Sequence, residues 1–166
     1  RLHTDVSTRL DDLARYITEA HAKNGTVLIP SFAVHRTQSL LAEIHTLIEE
    51  GKIPSIPVYV DSPLAEKATA IYKQSLSLLK DSVHNGGDDF FSFPRLTFVH
   101  RREQSQSLDD MPGCKIIIAG SGMSVGGRVL SHEAALLGDP NATIIFVGYQ
   151  APGTLGRRIQ DGDKTV

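Results

Sequence analysis

The stretch Val27-Leu28-Ile29-Pro30 decides the fold class of this sequence. Consecutive apolar, mostly β-branched residues closed by a proline are typical of a short strand that is buried on both faces. Amphipathic helices are predicted on either side of it, over residues 4–23 and 40–51, because apolar residues recur there with helical spacing. A buried strand between two helices indicates a parallel sheet.

The same alternation continues along the chain. Further strands are predicted over residues 56–61, 96–100, 115–119 and 142–147, and further helices after Ser62-Pro63 and over residues 125–137. Ser62 is a favourable helix N-cap, and Pro63 fits the first helical position. Residues 84–92, rich in glycine and aspartate, are predicted to form a loop. We therefore predict one domain over residues 1–166, a three-layer, Rossmann-like α/β fold whose mostly parallel sheet has helices on both faces.

Composition restricts the possible functions. The chain has 166 residues, 40% hydrophobic and 22% charged, which is typical of a globular protein rather than of a disordered or membrane chain. Its net charge of −2 excludes nucleic-acid binding through an overall basic excess, so any basic surface must be local. Cys114 is the only cysteine and cannot form an internal disulfide, so we expect a reducing, cytoplasmic setting.

Ligands of parallel sheets bind beyond the carboxyl ends of the strands. Here the segments that follow the strands are residues 31–36, 61–63, 100–102, 120–123 and 148–150. Arginine lies in or shortly after three of these segments, which favours an anion-binding site at this edge of the sheet. Arginines on ordinary solvent-exposed loops would give the same pattern. Residues 120–128 follow a strand and open a predicted helix, so their backbone N–H groups are candidates for holding a phosphate.

Other motif interpretations of this glycine-rich segment fit less well. A dinucleotide fingerprint requires glycine where Val125 stands, and Asp139 precedes the next strand instead of ending it. Residues 122–126 match a hydrolase nucleophile elbow centred on Ser124, but no acid lies between that serine and His132, the last histidine. The seven histidines are scattered singly, so we predict no metal site in this chain.

Four ordered blocks of the sequence, between residues 27 and 157, together resemble the β-CASP domain. They are residues 27–38, 60–65, 118–130 and 148–157, which include Ile-Pro-Ser-Phe-Ala, Val-Asp-Ser-Pro-Leu-Ala, Gly-Ser-Gly-Met and Gly-Tyr-Gln-Ala-Pro-Gly-Thr-Leu-Gly-Arg. Such domains occur in bacterial and archaeal RNA-cleaving enzymes, in ribonuclease J and in the cleavage subunit of the eukaryotic polyadenylation machinery.

The resemblance implies a fragment of a larger enzyme. In that family the β-CASP domain is inserted into a metallo-β-lactamase fold and caps a two-zinc site, where a metal-bound hydroxide attacks the RNA phosphodiester. The family's His-x-His-x-Asp-His zinc motif is not in these 166 residues. We therefore expect an RNA-binding cap domain that holds no cofactor and is inactive alone, and whose full-length enzyme binds two zinc ions. Because an inserted domain leaves and rejoins its host at one place, we also expect Thr4 and Lys164 to lie close together.

The expected partners are RNA and the metallo-β-lactamase domain of the same chain, without a membrane, and a homodimer is left open. The residues expected to bind RNA are Ser31, Arg36, Ser62, Ser121, Gly122, Met123, Arg128, Tyr149, Thr154 and Arg157. Among them, the arginines are expected to contact phosphates, and the backbone after Ser121 is expected to form an anion cradle. For Ser62 an alternative role is open, in which its side chain only caps the following helix.

Several alternatives remain open from the sequence. The chain departs from the family at His35, where glycine is usual, and at Ser131-His132, where paired histidines are usual. The roles of Asp61 and His35 are undecided, as are RNA preference and endonuclease or exonuclease action. A stand-alone nucleotide- or dinucleotide-binding module is the main alternative function, and a structural or dimerisation domain without a ligand is another.

Overall fold

A computed structural model describes residues 6–75 and 90–166, and the described part contains one five-stranded sheet. The strands are β1 (Thr26–Pro30), β2 (Val58–Asp61), β3 (Leu96–Phe98), β4 (Lys115–Ala119) and β5 (Thr143–Ile144). The helices are α1 (Val6–Ala22), α2 (Arg36–Glu49), α3 (Pro63–Gln74), α4 (Arg102–Asp110), α5 (Val129–Leu136) and α6 (Leu155–Asp161). The strand order is β3-β2-β4-β1-β5 and every paired strand is parallel, so the predicted fold class is confirmed.

Helices cover both faces of the sheet. On one face, the apolar residues of α1 and α2, with Ala65 of α3, pack against Ile116 and Ile118 of β4. On the other face, Leu108 of α4 and the apolar residues of α5 pack against Ile117. Because successive strand residues point to opposite faces, a central strand covered on both sides is apolar on both; β4 is apolar from Ile116 to Ala119, and all five of its residues are buried.

Several element boundaries differ from those predicted. Helix α5 begins at Val129 instead of residue 125, because Ser124 (φ 55°) and Gly127 (φ 83°) adopt backbone conformations that no α-helix contains. At Gly127 a side chain is excluded, since a Cβ atom would lie 2.4 Å from the Gly120 carbonyl oxygen. Strand β5 is shorter than predicted; it lies at the sheet edge and pairs with β1 alone.

Two elements were not predicted. Helix α4 is mostly polar and buries only Ser105 and Leu108, whereas α6 has seven residues and buries only Gly156. Neither sequence therefore carries the apolar period that identifies an amphipathic helix. Of the loop predicted over residues 84–92, residues 84–89 lie outside the described part of the chain, as do Thr4 and the predicted start of α1.

The connections place a switch point between β1 and β4. The chain leaves β1 toward β2 through α2, on one face, and leaves β4 toward β5 through α5, on the other. The two connections therefore run toward opposite edges of the sheet. In open parallel sheets a crevice forms at such a point beyond the strand ends, and this is where ligands bind.

Candidate functional site

A cavity of about 530 Å³ lies at the switch point, where the carboxyl ends of β1, β2 and β4 meet. We call it the strand-end pocket. Its lining consists of Ser31, Phe32, Ala33, Asp61, Ser62, Pro63, Leu64, Gly120, Ser121, Gly126, Gly127 and Arg128. Its rim is partly apolar, since Phe32 is 45% and Leu64 61% exposed.

Serine hydroxyls line the pocket. The Ser62 Oγ accepts a hydrogen bond from the Ala65 N–H (3.2 Å) and so caps α3, which confirms the structural role predicted for it. Similarly, the Ser121 Oγ accepts from the Val125 N–H (3.1 Å). In both residues the oxygen serves the protein as an acceptor, which leaves the hydroxyl hydrogen to be donated to a ligand. Ser31 also reaches the pocket, and its Oγ accepts from Thr37 (3.2 Å).

The loop after β4 is closed by its own backbone. The Ser121 N–H donates to the Gly126 carbonyl (3.0 Å), and the Val129 N–H donates to the Gly120 carbonyl (3.0 Å). The N–H groups of Ser121, Ser124 and Val125 all have partners inside the loop. A backbone anion cradle in this pocket would therefore use the N–H groups of Gly126 and Gly127, which lie within the predicted segment 120–128 but after the residues named in it, Ser121, Gly122 and Met123.

A buried polar cluster forms the floor of the pocket. We call it the Asp61 cluster; its members are Asp61, Ser105, Asp109, Arg128 and His132. Arg128 Nη1 lies 2.5 Å from Asp61 Oδ1, and His132 Nε2 lies 2.8 Å from Asp61 Oδ2, which also accepts a hydrogen bond from Ser105. The other ring nitrogen of His132, Nδ1, lies 2.6 Å from Asp109 Oδ1.

The cluster is withdrawn from water except at Arg128 and, to a smaller extent, at Asp109. The side chains of Asp61 and His132 are fully buried, whereas that of Arg128 is 23% exposed. Two further N–H groups of Arg128 donate to the carbonyl oxygens of Val99 (3.0 Å) and His100 (2.8 Å), just beyond β3. The guanidinium therefore joins the ends of β2 and β3 to the start of α5.

The charges of the cluster stabilise each other. Burial would raise the pKa of the Asp61 carboxyl, but the hydrogen bonds donated to it and the charge of Arg128 hold that pKa below its ordinary value. Burial would lower the pKa of the His132 ring, but Asp61 and Asp109 raise it above its ordinary value. Asp61 is therefore a carboxylate at neutral pH, and its charge and that of Asp109 favour the protonated form of His132.

A second cavity adjoins the first. It has a volume of about 340 Å³ and is lined by Arg102, Ser105, Gln106, Gly127, Arg128 and Ser131. Arg128 and Gly127 line both cavities. The guanidinium of Arg128 therefore stands between two depressions, and the exposed Arg102 adds a positive charge to the second one.

The pocket brings together four of the ten residues predicted to bind RNA, namely Ser31, Ser62, Ser121 and Arg128. Arg36 lies elsewhere: it donates to the Val147 carbonyl and lines a different cavity, of about 420 Å³, between α1 and α2. His35, whose role the sequence left undecided, is exposed and has φ 67°, a conformation that glycine adopts without strain.

The other predicted residues lie toward α6. The Gly122 carbonyl accepts from Gln150 (2.9 Å), and the Met123 carbonyl accepts from the Gly156 N–H (3.3 Å). Tyr149 is 69% exposed. In α6, Thr154 is the N-cap and accepts from the Arg157 N–H (3.2 Å), and the Arg157 side chain pairs with Asp161 (2.7 Å).

Sequence reasoning did not identify most of the cluster. His132 follows Arg128 by four residues, a spacing that places two side chains on one helical face, and this signal was available. Asp109 and Ser105 gave no such signal, because α4 was not predicted.

The described residues offer no candidate metal site, since within 6–75 and 90–166 no group of three His, Cys, Asp or Glu side chains is arranged to hold a metal ion. The ring nitrogens of His132 are both engaged with carboxylates. Among the helices that the structure describes, none has the length and apolar character needed to cross a membrane.

Comparison with known proteins identifies one family and several relatives that share it. The family model described as "Beta-Casp domain" matches residues 37–159. The chain is 33% identical over 162 residues to "Ribonuclease TTHA0252" of Thermus thermophilus, which covers 96% of this chain and 37% of that protein. It is 37% identical over 148 residues to "Transcription termination factor FttA" of Methanosarcina mazei (87% and 23% covered), and 35% identical over 154 residues to "RNase J-like protein" of Methanocaldococcus jannaschii (93% and 35% covered). The chain thus spans well under half the length of these relatives.

Proposed function

Because the chain belongs to the Beta-Casp domain family, we propose that it is the RNA-binding cap domain of a zinc-dependent ribonuclease, which hydrolyses phosphodiester bonds in RNA processing or decay. The names of two relatives, a ribonuclease and an RNase J-like protein, support the reaction class. In this proposal the partners are RNA and a metallo-β-lactamase domain of the same polypeptide.

The observation that carries the proposal is the strand-end pocket. Hydroxyl groups of Ser62 and Ser121 converge there with the guanidinium of Arg128, at the switch point of a parallel sheet. Phosphate oxygens accept hydrogen bonds from such donors, and contacts of this kind position a nucleic acid without reading its bases. The volume of about 530 Å³ is sufficient for a nucleotide unit.

The neighbouring cavity extends the proposed path. Because Arg128 lines both cavities, it stands where successive phosphates of one strand would pass. Arg102 in the second cavity would meet the next phosphate. At the rim, the exposed ring of Phe32 offers a surface on which an unpaired base would stack.

The described residues do not fit a zinc site, so no step of the reaction is assigned to a metal held by this chain. In the proposed full-length enzyme, two zinc ions would be held by ligands outside these 166 residues and would supply the attacking hydroxide. We accordingly expect the isolated chain to retain no stoichiometric zinc in elemental analysis and to leave RNA intact. Chelator-sensitive cleavage by this chain would contradict that expectation.

The binding proposal can be tested with a serine variant. Ser121→Ala removes a pocket hydroxyl and should weaken the binding of a single-stranded RNA oligonucleotide by about three- to tenfold, since one donor to a phosphate is lost. Ser107→Ala is the matched control, because Ser107 lies on α4 and its hydroxyl donates to the Gln104 carbonyl (2.8 Å). Fluorescence anisotropy with labelled RNA would measure both variants.

Two outcomes would count against the proposal. Equal RNA affinity for the two variants would mean that RNA does not contact the Ser121 hydroxyl in the pocket. Tighter binding of a free mononucleotide than of RNA would favour the alternative function, a nucleotide-binding module.

A further inference from the structure

We infer that His132 acts as a positioning residue for anion binding: as an imidazolium held between Asp61 and Asp109, it sets the net charge beneath the strand-end pocket, so that RNA affinity depends on its protonation. Asp61 carries the effect, because it lines the pocket itself and also fixes Arg128, the second cluster member in the lining. The inference rests on the proposed function, in which a phosphate binds in that pocket.

The geometry of the ring requires both nitrogens to donate. Nε2 and Nδ1 lie 2.8 Å and 2.6 Å from oxygens of Asp61 and Asp109. A neutral imidazole has only one N–H, so one lone pair would face a carboxylate oxygen at hydrogen-bond distance. Since Asp61 also accepts hydrogen bonds from Arg128 and Ser105, it is the acceptor in each contact.

The charges in the cluster then balance. Arg128 and His132 contribute two positive charges, and Asp61 and Asp109 two negative ones. If His132 loses its proton, one negative charge becomes uncompensated directly behind Arg128. Because Asp61 and His132 are fully buried, water screens that charge poorly, and a phosphate in the pocket would be repelled.

Other charged groups near the ring must be separated from this effect. Glu133 follows His132 on α5 and is buried; burial raises its pKa, and Ser124 and the charge of His132 only partly oppose that rise. On β4, Lys115 lies near Asp109, which opposes the lowering of the Lys115 pKa by burial. Arg102 of α4 faces the adjoining cavity. Ionisation of Glu133 and deprotonation of His132 would both make the charge beneath the pocket more negative and would both lower RNA affinity. A Glu133→Gln variant is therefore required to separate the two.

Asp109→Asn is the most informative variant. The asparagine oxygen can still accept from His132 Nδ1, so the geometry is retained while one carboxylate charge is removed. The Asp61–Arg128 pair is not touched. With one charge fewer holding the proton, His132 should titrate at lower pH, and at low pH the floor of the pocket carries one extra positive charge.

The experiment measures RNA affinity between about pH 6 and pH 9, together with the protonation of the His132 ring nitrogens by ¹⁵N NMR. We expect affinity to fall by about three- to thirtyfold as His132 loses its proton, the range expected for one unit charge near the pocket. In Asp109→Asn, affinity at low pH should rise by a similar factor and the midpoint should move to lower pH. In His132→Gln the pH dependence should disappear, whereas His45→Gln, on α2 and away from the cluster, and Glu133→Gln should keep it.

A merely structural role for His132 would change thermal stability without moving the midpoint of binding. If the protein binds RNA through a path sensitive to Ser121→Ala but with no dependence on His132 protonation, this inference is wrong and the proposed function stands. An unprotonated ring nitrogen at neutral pH would also overturn it. If no RNA binds at any pH, both the inference and the proposed function fail.

Discussion

Asp61 ends a buried strand, and each of its carboxylate oxygens meets a donor from another element. Arg128, His132 and Ser105 approach it from the start of α5, from within α5 and from α4. A buried charge is tolerated only when it is paired and hydrogen-bonded in this way. The sequence left the role of Asp61 undecided because Ser105 lies on α4, which was not predicted, and Arg128 directly precedes α5, which begins later than predicted.

Removing Asp61 should therefore be costly. Asp61→Ala removes the carboxylate partner of Arg128 and leaves the fully buried His132 with one of its two acceptors, so we expect it to lower the free energy of unfolding by about 3–5 kcal/mol. Asp12→Ala is the control, since Asp12 pairs with Arg15 on the exposed surface of α1 and should cost about 1 kcal/mol or less. Urea denaturation of both variants measures the difference, and similar values would show that the cluster does not stabilise the fold.

The same cluster predicts how stability depends on pH. The His132 pKa is raised on folding, so its contribution is complete below about pH 6.5 and is lost as pH rises through the folded value. The Asp61 pKa is lowered, so its contribution is complete above about pH 4 and is lost as pH falls through the folded value. Thermal unfolding should show that wild-type stability declines above about pH 6.5 and that His132→Gln reduces the decline. Parallel curves for the two proteins would contradict this assignment.

Arg36 remains a predicted phosphate contact although it lies outside the strand-end pocket. Its guanidinium donates to the Val147 carbonyl and retains other N–H groups for a ligand. We expect Arg36→Gln to flatten the slope of log affinity against log salt by about one unit, because a lost phosphate contact releases one counterion fewer. Arg15→Gln, on the exposed side of α1, should leave the slope unchanged. A lower thermal stability with an unchanged slope would mean that Arg36 only holds the segment at Val147.

At the scale of elements, the buried strands were the most predictable part. The apolar runs in β1 and β4 have apolar side chains on both faces, which must be buried. Their place in the centre of the sheet therefore follows from their sequences. The polar helix α4 was missed, and with it Asp109 and Ser105. Serines at strand ends could be predicted from position alone, whereas the cluster beneath them depends on how α4 and α5 pack together.

The length of the edge strand β5 could not be predicted from its own residues. Residues 142–147 have the composition of a strand, yet only Thr143–Ile144 is one. Pairing with β1 continues to the Ile145 N–H, which donates to the Leu28 carbonyl (2.9 Å), and then stops. A strand at the edge has a partner on one side only, so its length is set by that neighbour and not by its own composition.

At the scale of the whole molecule, the first and last helices of the described residues, α1 and α6, both reach the edge strand β5. Tyr16 of α1 and Ile159 of α6 line one cavity beside β5. The predicted proximity of Thr4 and Lys164 stays a prediction, because Thr4 lies outside the described residues.

The central claim is that RNA binds across the carboxyl ends of the strands, at the strand-end pocket. Titration of single-stranded RNA into ¹⁵N-labelled protein, followed by NMR, tests it most directly. The amide signals of Ser31, Ser62, Ser121 and Gly127 should shift together and saturate at one RNA concentration, while those of α2 near His45 stay in place. Two results would contradict the claim. One is that RNA shifts only amide signals on other surfaces, and the other is that the four pocket signals stay unchanged after signals elsewhere have saturated.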